Sequence, residues 1–271
     1  NLALQLSKRG YKQLIITFEN SIGDFNFSKL DNQTLLLNLK KEKKKILKIL
    51  KGTEAPVLLW MYSSILKFEL LKLRYKLTNQ YFWNIRHSDF GNLQIKQKAG
   101  LHFLGITSNI TKAKIIYCSF KSKSVHENYF FTKKHSIVIQ NRLAKPPPAK
   151  INKIDYDFIL FVGRNNPQKG PEHLKEIVFN VLKAQSSFKI VILGSGWDLD
   201  YFDEEIRNRI KLINAVENVF DYYDNAKCLL YTSIYGEGYP NVIAEAMSVG
   251  APIVGYDTGD FNLMIKNYNL G

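Results

Sequence analysis

The sequence predicts an α/β protein built on two open parallel sheets. Short runs of apolar and β-branched residues alternate with helical patterns along almost all of the 271 residues, which is typical of parallel sheets flanked by helices. The alternation stops at residues 141–150 (NRLAKPPPAK), whose three prolines can continue neither a helix nor a strand. It then restarts, so we expect two domains joined by a hinge, with a ligand cleft at the carboxyl ends of their strands.

The first part of the chain, residues 1–142, is predicted to contain several short strands and helices. Apolar runs of strand length define the strands, and Gly10 marks the end of the first helix. In order, these elements are a helix at 2–9, strands at 11–18 and 35–39, a basic helix at 39–50, a strand at 57–62 leading into a helix through residue 73, and strands at 82–86, 115–118 and 137–139.

A linker is predicted at 143–156, and the second domain at 157–271. Here Pro240 is expected at the first helical position and Gly250 at the helix end. The elements predicted in this part are strands at 158–162, 189–193, 228–232 and 253–256, alternating with helices at 171–184, 201–208 and 241–249.

The positive charge is concentrated in the first half of the chain. Residues 1–145 hold 26 Lys and Arg against 8 Asp and Glu, a balance of +18, whereas residues 146–271 hold 12 against 16, a balance of −4. The densest basic run, 39–50, has Ile46, Leu47, Ile49 and Leu50 on one helical face. This run is either a solvated surface helix or a segment attracted to an anionic membrane surface.

Several protein classes fit the sequence poorly. No apolar run is long enough to predict a membrane-spanning helix, and the start shows no signal-peptide pattern. Cys118 and Cys228 lie far apart without ligand spacing, which favours a reducing cytoplasm. Because both ends fall within predicted elements, we expect the sequence to be a fragment cut at both ends.

A phosphate site is predicted at residues 161–170 (FVGRNNPQKG), which lead from a strand end into a helix start. Gly163 permits a sharp turn, and Arg164 and Lys169 place two cations beside the positive end of a helix dipole. The alternative is a solvated loop with basic side chains. Neither a Walker loop nor a complete dinucleotide fingerprint is present in the sequence.

Two glutamates flank a second candidate site, in residues 237–252 (EGYPNVIAEAMSVGAP). Glu245 shares a polar helical stripe with Asn241, and Glu237 lies in a glycine-flanked loop before the helix. A carboxylate accepts two hydroxyl donors at once, which suits the vicinal diol of a ribose or hexose. Helix capping by the acidic side chains is the alternative, but it does not account for the neighbouring glycines and proline.

This segment resembles the E-x7-E motif of family-four retaining glycosyltransferases, also called glycosyl transferases group 1. Residues 161–170 are similar to the FVGR…KG loop of that family, and residues 254–260 (VGYDTGD) to its VxxDxG segment. Residues 1–18 resemble the helix and second strand of its N-terminal domain. The resemblance implies a GT-B fold, with two Rossmann-like domains, both incomplete here, that face each other across a cleft.

The resemblance also implies roles for individual residues. The acceptor would bind the N-terminal domain and the nucleotide sugar the C-terminal one. Arg164 and Lys169 would neutralise the donor diphosphate, Glu245 would hold the ribose, and Glu237 the transferred sugar. Donor-binding backbone is implied at Gly163, Gly238, Tyr239 and Asn241. His87, near a strand end in WNIRHSD, is similar to the family's sugar-facing histidine, although a lone histidine there is otherwise more often structural.

The reaction implied is metal-independent and retaining, with no cofactor, since side-chain cations stabilise the leaving group. The sequence departs from the family in four places. The glycine-rich loop after the first strand is missing, the P-N-G hinge reads QNRLA at 140–144, a common Asp is Lys227, and the C-terminal elements that return across the cleft are absent. From these departures we expect this stretch to bind a nucleotide rather than to complete full turnover.

We expect a nucleotide-diphosphate sugar, UDP- or GDP-linked, as donor and a glycan or lipid-linked glycan as acceptor, in cell-surface polysaccharide, lipopolysaccharide or capsule synthesis. The expected location is cytoplasmic, with peripheral attachment through the basic N-terminal domain to the inner face of the plasma membrane. The alternatives are a non-catalytic nucleotide-sugar-binding protein and a GT-B epimerase or phosphorylase. A nucleic-acid partner is not expected, because the basic half shows no recognised motif for one.

Overall fold

The computed structural model describes residues 2–17, 34–88, 90–141, 146, 154–185, 187–214, 216 and 218–267. The chain forms two compact units, Asn1–Trp83 and Asn84–Gly271. Most of the predicted linker 143–156 lies outside the described residues. The predicted domain boundaries therefore stay a prediction.

Helices and strands alternate along the described residues. The strands are β1 (Gln13–Thr17), β2 (Thr34–Asn38), β3 (Val57–Trp60), β4 (Tyr81–Ile85), β5 (Lys114–Tyr117), β6 (Ser136–Val138), β7 (Phe158–Val162), β8 (Lys189–Leu193), β9 (Ile210–Ile213), β10 (Cys228–Tyr231) and β11 (Ile253–Gly255). The helices are α1 (Leu2–Lys8), α2 (Leu39–Lys51), α3 (Met61–Tyr75), α4 (Ile95–Ile110), α5 (Phe120–Glu127), α6 (Pro171–Ala184), α7 (Phe220–Asn225), α8 (Asn241–Ser248) and α9 (Phe261–Asn267). Short 3₁₀ helices cover Pro167–Lys169, Leu199–Tyr201 and Glu204–Arg209.

In the first unit, β1 and β2 pair in parallel with Gln13 opposite Thr34. The basic helix α2 follows β2 directly, and the Asn38 side chain caps it by accepting a hydrogen bond from the Lys40 amide at 2.9 Å. Ile46 and Leu50 are buried while the lysines of α2 face outward. The predicted amphipathic basic helix is confirmed.

The second unit contains a five-stranded parallel sheet in the order β11-β10-β7-β8-β9. Alternate residues of its central strands point to opposite faces, and both faces are apolar because helices cover them. Leu160 and Val191 pack on one face, and Phe161 and Ile192 on the other. In the same unit β5 pairs with β6, again in parallel. The predicted parallel α/β class is confirmed.

Most strand predictions agree with the structure to within two residues, but the helix predicted at 201–208 is wrong. Two 3₁₀ segments occupy the region, separated at Phe202, whose backbone is extended (φ −100°, ψ 159°). Phe202 is 1% exposed and packs in the core with Ile206, so burying this ring interrupts the helix. Pro240 caps α8 rather than taking its first helical position.

Several elements were not predicted from the sequence. They are α4, α5, β9, α7 and α9. Among the described residues, no helix combines the length and apolar character needed to cross a bilayer.

Candidate functional site

The residues predicted to bind the donor lie around the carboxyl ends of β7, β8 and β10 in the second unit. Loops leave all three strands at one edge of the sheet, because parallel strands end on the same side. The predicted site residues, all within this unit, are His87, Gly163, Arg164, Lys169, Glu237, Gly238, Tyr239, Asn241 and Glu245.

A tight backbone crossing shapes the loop after β7. The Gly163 amide donates to the Leu193 carbonyl at 2.8 Å, and Trp197 Nε1 donates to the Gly163 carbonyl at 2.8 Å. A Cβ on Gly194 would lie 2.1 Å from that same carbonyl oxygen. Gly194 is therefore required for the two loops to approach, a constraint for which glycine is suited.

The next part of the loop is held against the end of β10. The Thr232 hydroxyl donates to the Lys169 carbonyl at 2.7 Å, and the Ile234 amide donates to the Gln168 carbonyl at 3.0 Å. Gly170 adopts a left-handed conformation (φ 60°), and a Cβ there would lie 2.4 Å from the Thr232 carbonyl oxygen. These contacts fix the backbone from which Lys169 projects.

Lys169 and Glu237 meet in a partly buried ion pair. Lys169 Nζ lies 2.7 Å from Glu237 Oε1, and the two side chains are 18% and 12% exposed. The same oxygen accepts hydrogen bonds from Gln168 Nε2 at 3.0 Å and from Ser233 Oγ at 3.2 Å. Within the described residues, no hydrogen bond reaches Glu237 Oε2. The contacts to Oε1 therefore orient the carboxylate, and Oε2 can still accept hydrogen bonds from a ligand.

Arg164 lies on the same loop but outside this pair. Its side chain is exposed, and no carboxylate of the described residues lies within ion-pair distance of it. The guanidinium is therefore available to a diphosphate, as expected from the sequence. Its role stays a prediction.

The structure brings His87 to the glycine turn before Glu237. Gly236 has a left-handed backbone (φ 81°), and a Cβ on it would lie 3.1 Å from His87 Nε2 and 3.1 Å from Gln168 Nε2. The His87 carbonyl accepts a hydrogen bond from Ser122 Oγ at 2.7 Å, which holds the backbone of the histidine. The sequence alone gave no reason for His87 and Glu237 to be neighbours beyond the family resemblance.

The backbone after Glu237 is packed against residues from the earlier part of the same unit. A Cβ on Gly238 would lie 2.5 Å from Cys118 Sγ, and the Gly238 carbonyl accepts from the Asp260 amide at 2.9 Å. Asn241 begins α8, is exposed, and accepts a hydrogen bond from Asn141 Nδ2 at 2.6 Å. Tyr239 is half-buried beside the core. The predicted contacts of Gly238, Tyr239 and Asn241 with a donor stay predictions.

Glu245 lies on α8, half-buried, with one hydrogen-bond donor. Tyr223 OH donates to Glu245 Oε2 at 3.2 Å. Burial raises the pKa of Glu245 above its ordinary value, while the hydrogen bond from Tyr223 acts in the opposite direction. Burial also raises the pKa of Tyr223, so its hydroxyl stays a donor. Among the described residues, no hydrogen bond reaches the other oxygen of Glu245.

Sequence reasoning missed the residues that orient the predicted ones. Gln168 and Ser233 hold Glu237, and Tyr223 holds Glu245. Asp260 is fully buried and accepts from the amides of Phe120 and Lys121 at 2.9 and 2.8 Å, capping α5. Two of these residues carried a signal in the sequence: Gln168 stands beside Lys169 in the loop 161–170, and Asp260 ends the segment 254–260.

A cleft of about 430 Å³ adjoins the Glu237 loop. Ile234 and Gly259 form part of its wall, and a Cβ on Gly259 would lie 2.8 Å from the Glu237 carbonyl oxygen. The complete lining is Phe120, Lys121, Ser124, Ile234, Asp257, Thr258, Gly259, Asn262 and Leu263. Across the part of the chain that the structure describes, no cluster of three or more His, Cys, Asp or Glu is arranged to hold a metal ion.

Comparison with known proteins relates this chain to sugar-transferring enzymes. The family model described as "Glycosyl transferases group 1" matches residues 147–271. An "Uncharacterized glycosyltransferase" of Haemophilus influenzae is 25% identical over 273 residues, which cover 95% of this chain and 75% of that protein.

Two solved structures share the fold at low sequence identity. Anabaena Alr3699/HepE, solved in complex with UDP and glucose, has a TM-score of 0.70 and 14% identity, with 93% of this chain and 82% of that chain covered. WaaG, a glycosyltransferase involved in lipopolysaccharide biosynthesis, has a TM-score of 0.63 and 11% identity, with 99% and 79% covered. At these identities the likeness concerns the fold.

Proposed function

We propose that this chain is a group 1 glycosyltransferase with the GT-B fold, related to enzymes of lipopolysaccharide and polysaccharide synthesis. It transfers a sugar from a nucleotide-diphosphate sugar to a saccharide or lipid-linked acceptor with retention of configuration. The observation that carries the proposal is the arrangement around Glu237. One of its oxygens is fixed by three donors, and the other is left for a ligand hydroxyl.

In this proposal, the cations of the loop after β7 stabilise the diphosphate leaving group. As the glycosidic bond to the diphosphate breaks, negative charge grows on the phosphate oxygens. Arg164 is exposed on the loop, and Lys169 projects from a backbone clamped to Thr232. Positive side chains held in place before the reaction stabilise such developing charge. This proposal needs no metal ion or cofactor, and its chemistry rests on the side chains of the chain.

The two glutamates would bind opposite ends of the donor. Glu245 has an acceptor oxygen available for ribose hydroxyls, and Glu237 has one available for hydroxyls of the transferred sugar. His87, beside Gly236, would face the sugar near Glu237. The acceptor would attack from the side on which the diphosphate leaves, through an oxocarbenium-like transition state, which retains the anomeric configuration.

UDP is the first nucleotide to test, because Anabaena HepE is solved with UDP and glucose, and GDP is the second. We propose a lipid-linked glycan as acceptor, at the cytoplasmic face of the plasma membrane, in the synthesis of a cell-surface polysaccharide, lipopolysaccharide or capsule. The +18 balance of residues 1–145 supports a location near anionic lipid.

The test is a transfer assay with a panel of UDP- and GDP-hexoses and a bacterial lipid extract as acceptor. Release of the nucleoside diphosphate and labelling of a lipid product are measured for the wild type, Glu237→Gln and the exposed control Glu176→Gln. The proposal predicts α-linked product from an α-linked donor, strongly reduced with Glu237→Gln and unchanged with Glu176→Gln. A product of inverted configuration, or donor epimerisation without transfer, would overturn it.

A further inference from the structure

The cleft of about 430 Å³ beside the Glu237 loop has walls from three separate segments of the second unit. Helix α5 forms one wall, the loop after β10 another, and the segment from the end of β11 into α9 the third. The volume lies within the range of small-molecule sites, roughly 300–1,000 Å³. The described lining includes none of the residues predicted to bind the donor. The donor site therefore does not account for this cleft.

A buried carboxylate holds two of the walls together. Asp260 is fully buried and accepts hydrogen bonds from the amides of Phe120 and Lys121 at 2.9 and 2.8 Å. The Asp260 amide in turn donates to the Gly238 carbonyl at 2.9 Å. Hydrogen bonds within the protein thus fix the start of α5 against the loop after β11, as is typical of a pre-formed site.

The cleft lies beside the backbone of Glu237. Gly259, in its wall, has a left-handed backbone (φ 64°), and a Cβ there would lie 2.5 Å from the Gly238 carbonyl oxygen and 2.8 Å from that of Glu237. Ile234, also in the wall, stands three residues before Glu237. Because Glu237 holds the transferred sugar in the proposed function, a molecule bound in the cleft would lie next to that sugar.

Part of the lining is apolar although it is open to solvent. Phe120, Ile234 and Leu263 line the cleft and are 54%, 40% and 42% exposed. They come from α5, the loop after β10 and α9, so each wall contributes one apolar side chain. A ligand with an apolar face would remove this surface from water.

The rest of the lining supplies both hydrogen-bond donors and acceptors. Lys121 can only donate and Asp257 can only accept, whereas the Ser124 hydroxyl and the Asn262 amide can do both. The backbone amide and Nδ2 of Asn262 donate to Asp257 at 3.2 and 3.3 Å, which orients both side chains. With one cation and one carboxylate, the described lining has no net charge.

We propose that this cleft, here named the α5 cleft, binds an uncharged pyranose unit of the acceptor saccharide. A pyranose ring has an apolar C–H face and a rim of hydroxyls that both donate and accept hydrogen bonds, so it matches both parts of the lining. A nucleotide or an acidic polymer would find no cation in the described lining besides Lys121. An acyl chain would leave the polar side chains of the lining without partners.

This inference deepens the proposed function and rests on it for the identity of the saccharide as the acceptor. A pyranose unit in the α5 cleft would place the acceptor beside the sugar at Glu237. Binding of UDP, binding of oligosaccharides and transfer are separate measurements. If UDP binds but uncharged oligosaccharides do not, the inference fails and the donor site stands. If oligosaccharides bind at the cleft but neither UDP binding nor transfer is detected, the proposed function fails and the saccharide site stands.

The test is binding of the protein, in the presence of UDP, to a printed array of uncharged and acidic oligosaccharides, followed by titration of the strongest uncharged one. Phe120→Ser removes the aromatic side chain from the wall, and Ser124→Tyr fills the space. The controls are Phe103→Ser, at a position 59% exposed on α4, and Asn128→Tyr, exposed one helical turn after Ser124. Neither control position lines the cleft.

Each of the two cleft variants should weaken binding of the uncharged oligosaccharide by roughly tenfold, because the sugar loses the apolar surface on which it packs or the space that it occupies. The two controls should bind as the wild type does. Titration with UDP and circular dichroism melting show that each variant keeps its donor site and its fold.

Two results would overturn the inference. Binding confined to acidic oligosaccharides would assign the interaction to the positive charge of the chain. Binding of no uncharged oligosaccharide, or equal binding by the wild type and both cleft variants, would remove the saccharide from the α5 cleft.

Discussion

Lys169 Nζ and Glu237 Oε1 lie 2.7 Å apart, although 68 residues separate them in the chain. The contact joins the loop after β7 to the loop after β10. A donor diphosphate would compete with Glu237 for the lysine charge, so donor binding and this ion pair are linked.

Lys169→Met should weaken both nucleotide binding and the fold. Loss of a charge-assisted hydrogen bond costs roughly 1.5–3 kcal/mol, so UDP affinity should fall by about tenfold or more. The variant also leaves the partly buried Glu237 carboxylate without its cation, which should lower the free energy of unfolding by about 1–3 kcal/mol. Calorimetry and urea denaturation measure the two effects.

Lys211→Met is the matched control, because Lys211 is exposed on β9. It should change neither quantity. Equal nucleotide affinity in Lys169→Met and Lys211→Met would remove Lys169 from the donor site.

The pH dependence of UDP binding should reflect Glu245. In the proposed function its carboxylate is the form that would accept ribose hydroxyls, and burial raises its pKa. Affinity should therefore fall on acidification at a higher pH than an ordinary glutamate would give. Glu245→Gln cannot titrate, and subtracting its pH profile removes the titration of the nucleotide phosphate. A difference profile that is flat down to the ordinary glutamate range would contradict this account.

The stability of the protein should respond to Glu245 with the opposite sign. Because its pKa is raised in the folded state, the native protein binds this proton more tightly than the unfolded chain does. Its contribution to the free energy of unfolding thus increases as pH falls from the raised folded value to the unfolded one. Urea titrations give the free energy of unfolding of the wild type and of Glu245→Gln as a function of pH. Near neutral pH the two values should change with pH at the same rate. On acidification through this window the wild type should gain stability relative to Glu245→Gln.

Gly194→Ala should destabilise the second unit through a steric clash. Its Cβ would lie 2.1 Å from the Gly163 carbonyl oxygen, in backbone with φ 149°. Backbone must move to relieve this, at a cost of roughly 1–3 kcal/mol. Gly100→Ala is the control, because a Cβ there meets nothing within 4 Å on helix α4. Thermal unfolding should show a lower Tm for the first variant and an equal or higher one for the second.

Asp260→Asn should weaken the start of α5. The buried carboxylate accepts from the amides of Phe120 and Lys121, whereas an asparagine has one acceptor oxygen and must turn a donor toward the other amide. We expect a loss of about 1–3 kcal/mol in the free energy of unfolding. Asp257→Asn, at an exposed position three residues earlier, should cost much less in the same urea titration. Equal losses would contradict the capping role.

The elements that the sequence predicted best are those whose patterns are local. Strand Phe158–Val162 and helix Pro171–Ala184 agree with their predicted limits, because a short apolar run and a proline start do not depend on distant residues. Helix α4 was missed because apolar residues occupy both of its faces and blur the helical period. Helix α5 spans only eight residues and was missed although Ser119 caps it locally. Asp260, 140 residues away, accepts hydrogen bonds from two of its first amides, which no local pattern indicates.

In the candidate site, too, the residues in local motifs could be predicted and the others could not. Glu237, Glu245, Arg164 and Lys169 could be identified from two motifs, since each stands in a contiguous stretch. Their orienting partners could not, because Ser233, Gln168 and Tyr223 reach them only through the folded sheet and helices. The residues predicted to contact the donor could thus be identified from sequence patterns, whereas the residues that orient them could hardly be identified at all.

Calorimetric titration of the protein with UDP, GDP and ADP, beside Glu245→Ala and the control Glu176→Ala, decides whether the donor site lies at Glu245. We expect selective binding of one nucleotide, weakened by Glu245→Ala and unaffected by Glu176→Ala. Binding of none of the three by the wild type, or equal binding by wild type and Glu245→Ala, would contradict the assignment of the donor site.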